Sequence, residues 1–545
     1  MDFQRLFLFL IFSFSVFMLW DGWQRAQHPT VQATPVAASS VASAPVVATT
    51  EVASPGAGAV LAQQKHQAGQ KITVKTDWLA AEINTIGGDL RRLAFLQHHD
   101  AQDKSKLFVL LQEQKEHTYI AQTGLLGAGL PTHNSIFTAQ ANEYQLAEGK
   151  DTLEVRLLAT AVYGAKVSKI YVFHRSSYLI DVGYEIENIG TSPLSSSAYF
   201  QLVRDNIPPE GGSKFVPTYT GPAVYTEQEK FQKVDFSDID KGKAKFPPSA
   251  DNGWVGMLQH YFVAAWLPKD KALREFYTRQ LENNLYSVGV ILPIVAITPG
   301  QNAKVSVPLY AGPAQVSLDK VAPGLGLTVD YGWLTIIATP LFWLLSFLQE
   351  WVHNWGVAII LLTLLIKLAF FPLSAASYRS MGKMRVVAPK LEKIKQQYGD
   401  DRERLHKAMM ELYKTEKINP LGGCLPVVIQ IPVFISLYWA ILASVELRYA
   451  PFFGWISDLS AADPYYVLPL IMGASMLLQS KLNPVPPDPL QAKLMQIMPI
   501  VFSVVFFFFP AGLVLYSIVN NALSIAQQWY ITRGLEAEAK GVAKA

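Results

Sequence analysis

A lysine interrupts an apolar segment in the C-terminal half of the chain. Lys367 lies in the run NWGVAIILLTLLIKLAFFPL, four residues after Thr363, so both side chains lie on one face of a predicted helix. A charge within a membrane span costs roughly 2.5–3.5 kcal/mol on insertion scales. The lysine therefore either extends its ammonium group to the interface or faces a polar cavity, where it attracts anions.

Polar side chains also interrupt the apolar segments that follow. Gln430 stands within PVVIQIPVFI, and the last segment contains Tyr516, Ser517, Asn520 and Asn521. The central parts of these segments carry no acid. Because polar side chains in several spans should face one another or water rather than lipid, we expect a polar cavity between the helices. Its predicted lining is Lys367, Thr363, Gln430, Tyr516 and Ser517.

The composition favours a membrane protein without catalytic chemistry. Of 545 residues, 50% are hydrophobic and only 16% are charged, whereas soluble domains carry about 25% charged residues. A net charge of +3 is too small to indicate specific DNA binding, and the single cysteine, Cys424, excludes an intrachain disulfide and a Cys-based metal site. We find no nucleophile–base set and no phosphate loop, so we predict no catalytic residue, cofactor or metal. The histidines of the exported region lack metal-ligand spacing: His98, His99, His117, His133, His174 and His260.

The N-terminal half divides into three predicted parts. Leu6–Trp20 is an uncharged apolar run, which is either a cleaved signal peptide or, as we expect, a retained membrane anchor over residues 1–26. Residues 27–70 are rich in Ala, Ser, Thr, Pro and Gln, which predicts a disordered tether. Residues 71–328 alternate apolar and polar positions, as in YLIDVGYEIENIG, which predicts an exported antiparallel β-sandwich domain.

The C-terminal half contains the remaining predicted membrane segments. Residues 329–353 are rich in Trp and end in charged and polar residues, so we predict an interfacial amphipathic helix there rather than a span. Residues 354–533 should form a five-span core, which with the anchor makes a polytopic α-helical membrane protein of six spans. The five predicted core spans are Trp355–Leu373, Pro426–Val445, Tyr465–Leu482, Met495–Phe509 and Gly512–Trp529.

The charges of the loops set the predicted orientation. Between Phe371 and Pro420 there are eleven Lys and Arg against six acids, whereas the loop from Glu446 to Pro464 has one Arg and three acids. By the positive-inside rule the first loop is cytoplasmic, so both termini are cytoplasmic and the β-domain is outside. Residues 534–545 are then a short cytoplasmic tail.

The basic loop has helical periodicity on both sides of YGDD, which predicts a cytoplasmic hairpin over residues 378–418. It is either a solvated connector or a surface that contacts apolar polypeptides or ribosomal RNA. The residues that we expect to make such contacts are Met381, Met384, Arg385 and Met409.

Four long motifs resemble one family. They are VDYGWLTIIATPLF, NPLGGCLPVVIQIPVFISLYWAI, ELRYAPFFGWISDLSAADPYYVLPLIMG and FPAGLVLYSIVNNALSIAQQ. With them, the chain resembles the YidC-type membrane-protein insertases of Gram-negative bacteria over essentially its whole length. The opening MDFQRLFLF also resembles that family's uncleaved anchor.

The resemblance implies a membrane-protein insertase and chaperone of the bacterial inner membrane. Its groove is open to the cytoplasm and the lipid bilayer and closed toward the outside, and it takes the polar N-terminal region of a nascent client without hydrolysing a nucleotide. The resemblance also implies cooperation with the Sec translocon and the ribosome, and a β-domain similar to a mutarotase-type supersandwich without its catalysis.

Single positions carry over from the resemblance. Lys367 occupies the position of the groove cation, which is usually Arg in the family, and Thr363, Gln430 and Tyr516 match polar or aromatic groove positions. Ser517 departs from the pattern, because the family commonly has a second aromatic residue after GLVLY.

Two other classes of protein share parts of this pattern. An anion transporter or channel could use Lys367, but it should show repeated halves or a second intramembrane charge, and the sequence has neither. An exported carbohydrate-active enzyme on a membrane anchor should place acids in a pocket of the β-domain and should lose its function when that domain is deleted.

Overall fold

The computed structural model describes residues 69–100, 103–160, 162, 164–209, 219–329, 331, 334–399, 401–416, 425–482 and 489–542. The predicted anchor (1–26) and nearly all of the predicted tether (27–70) lie outside these residues.

The described residues from Lys71 to Pro313 form a domain of β-strands. Short apolar–polar alternations separated by turns favour this state over helices. The strands are β1 Lys71–Lys75, β2 Leu79–Asn84, β3 Asp89–His99, β4 Leu107–Glu113, β5 Thr118–Leu126, β6 Phe137–Ala139, β7 Glu143–Gln145, β8 Thr152–Ala159, β9 Ala165–His174, β10 Leu179–Asn188, β11 Leu194–Asp205, β12 Thr220–Thr226, β13 Lys230–Lys233, β14 Ser249–Ala250, β15 Trp254–Gln259, β16 Phe262–Trp266, β17 Arg274–Gln280, β18 Leu285–Ile297 and β19 Asn302–Pro313.

These strands form two large sheets. One has the order β14-β17-β18-β11-β5-β4-β3-β2-β1-β7, and the other has the order β13-β12-β15-β16-β19-β10-β9-β8-β6. Among the described strands the pairings are antiparallel except for β1 with β7. On β10 the predicted alternation is confirmed, because Ile180, Val182, Tyr184 and Ile186 are all buried in the apolar core. The predicted antiparallel β-sandwich is thus present.

Helices follow the sheets. A short helix α1, Phe236–Asp240, lies within the β-domain, and two 3₁₀ turns, Val316–Lys320 and Leu325–Thr328, end it. The remaining helices are α2 Thr335–Val352, α3 Trp355–Ala369, α4 Phe371–Tyr398, α5 Arg402–Thr415, α6 Leu425–Ala443, α7 Val467–Leu482, α8 Pro489–Phe506 and α9 Ala511–Val542.

The predicted span Trp355–Leu373 is wrong at its C-terminal end. Helix α3 ends at Ala369, and α4 starts at Phe371 with a bend of 67° between the two axes. Pro372 explains the break, because it lies in the first turn of α4, where its missing N–H costs no hydrogen bond. At the other end of the core, α9 continues to Val542, well beyond the predicted end at Trp529 and into the predicted tail.

Several described helices are apolar enough to lie in a membrane. Among the residues that the structure describes, Thr335–Val352 is long and apolar enough to cross a bilayer alone, and α3 with residues 371–384 passes the same test only as a bent pair. Three shorter apolar helices are Val428–Ala443, Val467–Leu482 and Gln496–Phe506. The interfacial position of residues 329–353 and the count of six spans therefore stay predictions.

The β-domain and the helices share a hydrophobic core. One buried cluster contains Trp254 and Val263 of the β-domain together with Phe342 of α2 and Leu362 of α3. A separate cluster fills the space between the two sheets. The helical region is therefore packed directly against the second sheet rather than joined to it only by the chain.

Candidate functional site

A polar stripe runs along one face of α9. Tyr516, Asn520 and Ser524 are spaced four residues apart, so their side chains follow one another along the helix. Tyr516 and Ser524 are buried, and the sequence around them is largely apolar. Polar groups in such a setting require partners on neighbouring helices.

Lys367 of α3 is one of these partners. Its Nζ donates a hydrogen bond of 2.6 Å to Ser524 Oγ, and Ser524 Oγ donates one of 2.7 Å to the carbonyl of Asn520. Ser524 also hydrogen-bonds with Tyr378 of α4. The lysine is half-buried, and no carboxylate within the described ranges forms an ion pair with it. Its ammonium group is therefore held by a neutral hydroxyl group.

Gln430 of α6 is the second partner. Its Nε2 donates a hydrogen bond to the hydroxyl of Tyr516, whose side chain is 1% exposed. Tyr516 and Ser524 are separated by about 12 Å along the helix axis, at a rise of about 1.5 Å per residue. The predicted residues Lys367, Gln430 and Tyr516 thus belong to one polar stripe, but they form two separate hydrogen-bonded pairs on it.

Thr363 and Ser517 have a different environment. Both side chains are buried, and each hydroxyl donates to a carbonyl of its own helix: Thr363 to Ile359 at 2.7 Å and Ser517 to Leu513 at 2.9 Å. Serine and threonine commonly satisfy themselves in this way within helices. In this structure neither hydroxyl joins the pairs formed by Lys367 and Gln430.

A second row of polar contacts connects α9 to α7. Asn521 Nδ2 donates to Ser475 Oγ at 3.2 Å, and Gln528 Nε2 donates to the carbonyl of Leu482 at 3.1 Å. Sequence reasoning did not select Ser475, Ser524 or Gln528. The interval of four residues from Tyr516 through Asn520 would have identified Ser524, whereas nothing in the sequence marks Ser475.

Comparison with known proteins identifies the family. Residues 71–344 match the family described as YidC periplasmic domain, and residues 347–538 match the family described as 60Kd inner membrane protein. The membrane protein insertase YidC of Nitrosospira multiformis is 56% identical, with 100% of this chain and 99% of the relative covered. That of Methylobacillus flagellatus is also 56% identical, with both chains covered completely. The chain belongs to the YidC family.

Membership of the YidC family establishes the coarse function and location. Its members are membrane protein insertases of the inner membrane, with a periplasmic β-sandwich domain and a helical C-terminal region. A solved structure entitled "Active YidC insertase crystal structure with the first transmembrane domain resolved" matches with 20% identity and a TM-score of 0.40, covering 85% of this chain and 93% of that chain.

The basic hairpin of this YidC-family chain has an apolar interior. Met384 of α4 and Met409 of α5 are half-buried and pack against Val387 and Tyr413. An ion pair of 2.6 Å between Lys390 and Glu416 also crosses the hairpin. The two methionines therefore contribute to packing within the hairpin.

Two other predicted contact residues of the hairpin lie on α4. Met381 is half-buried. Arg385 lies on the helix, and its side chain is not among those that the structure describes. The structure thus assigns no contact surface to either of them.

The periplasmic domain contains a fully buried ion pair that the sequence did not reveal. Lys169 Nζ of β9 lies 3.5 Å from Asp89 Oδ1 of β3, and neither side chain is exposed. Gln122 donates to Asp89 at 3.0 Å, and Lys169 also donates to the carbonyl of Gly87 at 2.9 Å. Burial, opposed by the charge of Asp89, lowers the pKa of Lys169 to about 8. Burial likewise raises the pKa of Asp89, against the nearby charge of Lys169.

The histidines of the periplasmic domain have separate partners. Within the described residues, no group of three or more His, Cys, Asp or Glu side chains could hold a metal ion. The contacts are His98 with Tyr178, His117 with Asp205, His133 with Tyr199, His174 with Asp181 and His260 with the carbonyl of Leu442.

Proposed function

We propose that the chain inserts membrane proteins through a hydrated groove along the polar stripe of α9, with Lys367 as its binding cation. The stripe is formed by Tyr516, Asn520 and Ser524, with Gln430 and Lys367 opposite. Thr363 and Ser517 support it by packing, since both hydroxyls are satisfied within their own helices. The groove opens to the cytoplasm and the lipid.

The main support for the proposal is that the hydrogen-bond partner of Lys367 is neutral. A hydroxyl group satisfies one ammonium donor without neutralising its charge. Both hydrogen bonds have a charged donor, but a carboxylate adds a direct charge–charge attraction to Lys367 that the Ser524 hydroxyl lacks, so a client carboxylate displaces Ser524 with a net gain. A lysine already paired with an acid would offer no such gain.

Hydration of the groove explains how a polar segment crosses. A buried polar group without a hydrogen-bond partner costs several kcal/mol, roughly 2–7 depending on the reference state. Water in the cytoplasmic half shortens the dry path, and the polar stripe supplies partners within it. The apolar span of the client then remains in contact with lipid while its tail moves past Lys367.

The proposed partners follow from family membership and charge. Clients are nascent membrane proteins, and the Sec translocon and the ribosome are proposed to deliver them. The basic helices α4 and α5 are the proposed ribosome-facing surface, although Met384 and Met409 already pack inside the hairpin. In this arrangement six spans cross the inner membrane and both termini are cytoplasmic.

Reconstitution tests the proposal directly. The purified full-length chain in liposomes should protect a single-span client with an acidic N-terminal tail from external protease, without any nucleotide. Lys367→Ala should lower the protected fraction, and Lys481→Ala, which removes a lysine from the last turn of α7, serves as the matched control.

Two outcomes would contradict the proposal. Protection no greater than in protein-free liposomes would exclude insertion by this chain alone. Anion flux that depends on Lys367, in the absence of client protection, would favour the anion channel instead.

A further inference from the structure

The loop between α6 and α7, residues 444–466, contacts both parts of the molecule. We call it the bridging loop. Leu447, Ile456 and Leu459 are buried in the cluster that the β-domain and the helices share. Because the loop contacts the β-domain, it lies on the periplasmic side of the helices.

Arg448 of the bridging loop is enclosed by aromatic rings. Its Cζ lies 5.6 Å from the ring centres of Phe108 and Tyr261 and 5.2 Å from that of Tyr449. Phe108 and Tyr261 belong to the β-domain. Nη2 is buried and has no hydrogen-bond partner in the described part of the chain. The ring faces are therefore its electrostatic partners there, and cation–π contacts strengthen where the cation is withdrawn from water, as Nη2 is here.

Three hydrogen bonds reinforce this contact. The hydroxyl of Tyr449 donates to the carbonyl of Asp100, and Lys104 Nζ lies 3.4 Å from Ser457 Oγ. His260 Nε2 donates to the carbonyl of Leu442, at the end of α6, over 3.1 Å. In each pair one residue belongs to the β-domain and the other to the loop or the end of α6.

The opposite side of the loop is bound to the starts of two helices. Ala511 N and Gly512 N, in the first turn of α9, donate to the carbonyls of Ala461 and Leu459 at 2.7 and 2.9 Å. The carboxylate of Asp463 accepts from Leu468 N at 2.7 Å, near the start of α7. These bonds use N–H groups that a helix cannot satisfy internally.

Helix α3 also contacts the bridging loop. Phe452 of the loop lies against Gly356 in the first turn of α3, and a Cβ at Gly356 would collide with the ring. The bridging loop thus connects the periplasmic ends of α3, α6, α7 and α9. These are the four helices that carry Lys367, Gln430, the Ser475 contact and the polar stripe.

We propose that the periplasmic domain acts as a brace, which holds the bridging loop through Arg448 and thereby keeps the periplasmic end of the groove closed. Arg448 is a positioning residue, since it contacts no groove side chain and acts through the loop. This inference rests on the proposed groove function. It concerns the periplasmic domain, which has no role in that function as proposed above.

Cysteine labelling measures the closure. In a Cys424→Ser background, Ala450→Cys places a thiol at a loop position that is 6% exposed. A membrane-impermeant maleimide should label it slowly in proteoliposomes. Arg448→Ala should raise the labelling rate about tenfold, because loss of a partly buried cation–π contact favours local opening to about that extent. Arg279→Ala, which removes an Arg–Tyr contact elsewhere in the β-domain, should leave the rate unchanged.

A second variant keeps the inference falsifiable if Arg448→Ala does not fold. Phe108→Leu changes only the β-domain, retains an apolar side chain and should also raise labelling at residue 450. Unchanged labelling in both folded variants, or in Phe108→Leu alone where Arg448→Ala does not fold, would overturn the brace. The parent chain's failure to insert a client would contradict the proposed function, while labelling would still report on the brace.

Discussion

Two lysines in the described part of the chain, Lys169 and Lys367, are withdrawn from solvent to different degrees and have partners of opposite kinds. Lys169, inside the periplasmic domain, lies 3.5 Å from the carboxylate of Asp89 and within 6 Å of three aromatic ring centres. Lys367, among the membrane helices, has the hydroxyl of Ser524 as its partner. One site is electrostatically complete, whereas the other retains a charge that the described residues do not neutralise.

Under the proposed function, Lys169 is a structural charge and Lys367 a functional one. A buried ion pair contributes little net stability, but removal of one partner is costly because the other charge stays buried. A charge held by a neutral group can exchange that group for a charged ligand. We therefore propose that Lys169 belongs to the architecture of the β-sandwich and that Lys367 captures the client.

The largest expected effect, on stability, comes from breaking the ion pair between Lys169 and Asp89. Lys169→Met should destabilise the periplasmic domain by about 3–5 kcal/mol, because the Asp89 carboxylate then remains buried without the lysine that pairs with it. Hydrogen exchange of the β9 amides in the full-length chain measures the loss. A double variant, Lys169→Met with Asp89→Leu, should regain most of it, and equal destabilisation by the single and double variants would contradict the ion-pair account.

The same site predicts a dependence of stability on pH. The pKa of Lys169 is about 8 in the folded chain, below the ordinary value of 10.5, so between these values the unfolded chain binds more protons. Stability should therefore rise with pH in this window, by at most about 1.4 kcal/mol per pH unit. Protection factors of β9 at pH 7.5 and 9.5, compared with the double variant, check the sign; a fall relative to that variant would refute it.

Substitution of Lys367, whose charge is not neutralised by a described residue, should affect insertion more than folding. Lys367→Ala should lower the insertion rate of a client with an acidic tail about tenfold, equivalent to about 1.4 kcal/mol and close to the lower end of the range for a charge-assisted hydrogen bond. Lys367→Arg keeps the charge and should retain activity. Complementation and in vitro insertion both measure this effect, and normal insertion by the Ala variant would remove Lys367 from the mechanism.

The smallest expected effect concerns the second pair of the stripe. Tyr516→Phe removes the hydroxyl that accepts from Gln430 and should cost about 0.5–1.5 kcal/mol, typical of one neutral hydrogen bond. Insertion should slow only a fewfold, to a similar extent for acidic and neutral tails. Gln430→Leu combined with Tyr516→Phe should add little to either single change; full additivity would show that the two groups act separately.

Local patterns predicted the fold well where one rule decided the outcome. The period of two in YLIDVGYEIENIG placed Ile180, Val182, Tyr184 and Ile186 in the core, because a strand has only two faces. The break at YGDD likewise separates α4 from α5. The end of α3 was misplaced because hydropathy continues through Phe371 and Pro372, whereas backbone geometry bends there.

For the candidate site, the sequence selected side chains that share one polar stripe, but it did not predict which of them pair. Polar residues in apolar segments identified Lys367, Gln430 and Tyr516, which the structure brings to one face of α9. Ser524 was not predicted, although it continues the four-residue spacing of Tyr516 and Asn520. Lys169 and Asp89 were missed for a different reason: their strands are far apart in sequence, and only the packing of the two sheets brings them together.

The most direct test of the account is the coupling between Lys367 and the charge of the client tail. Insertion rates would be measured for the parent, Lys367→Ala and Lys367→Glu, each with clients whose tail carries an Asp, an Asn or a Lys at one position. We predict that Lys367→Ala slows insertion of the Asp client most, and that Lys367→Glu with the Lys client recovers activity. Equal effects of each variant on all three clients would show that Lys367 does not recognise charge.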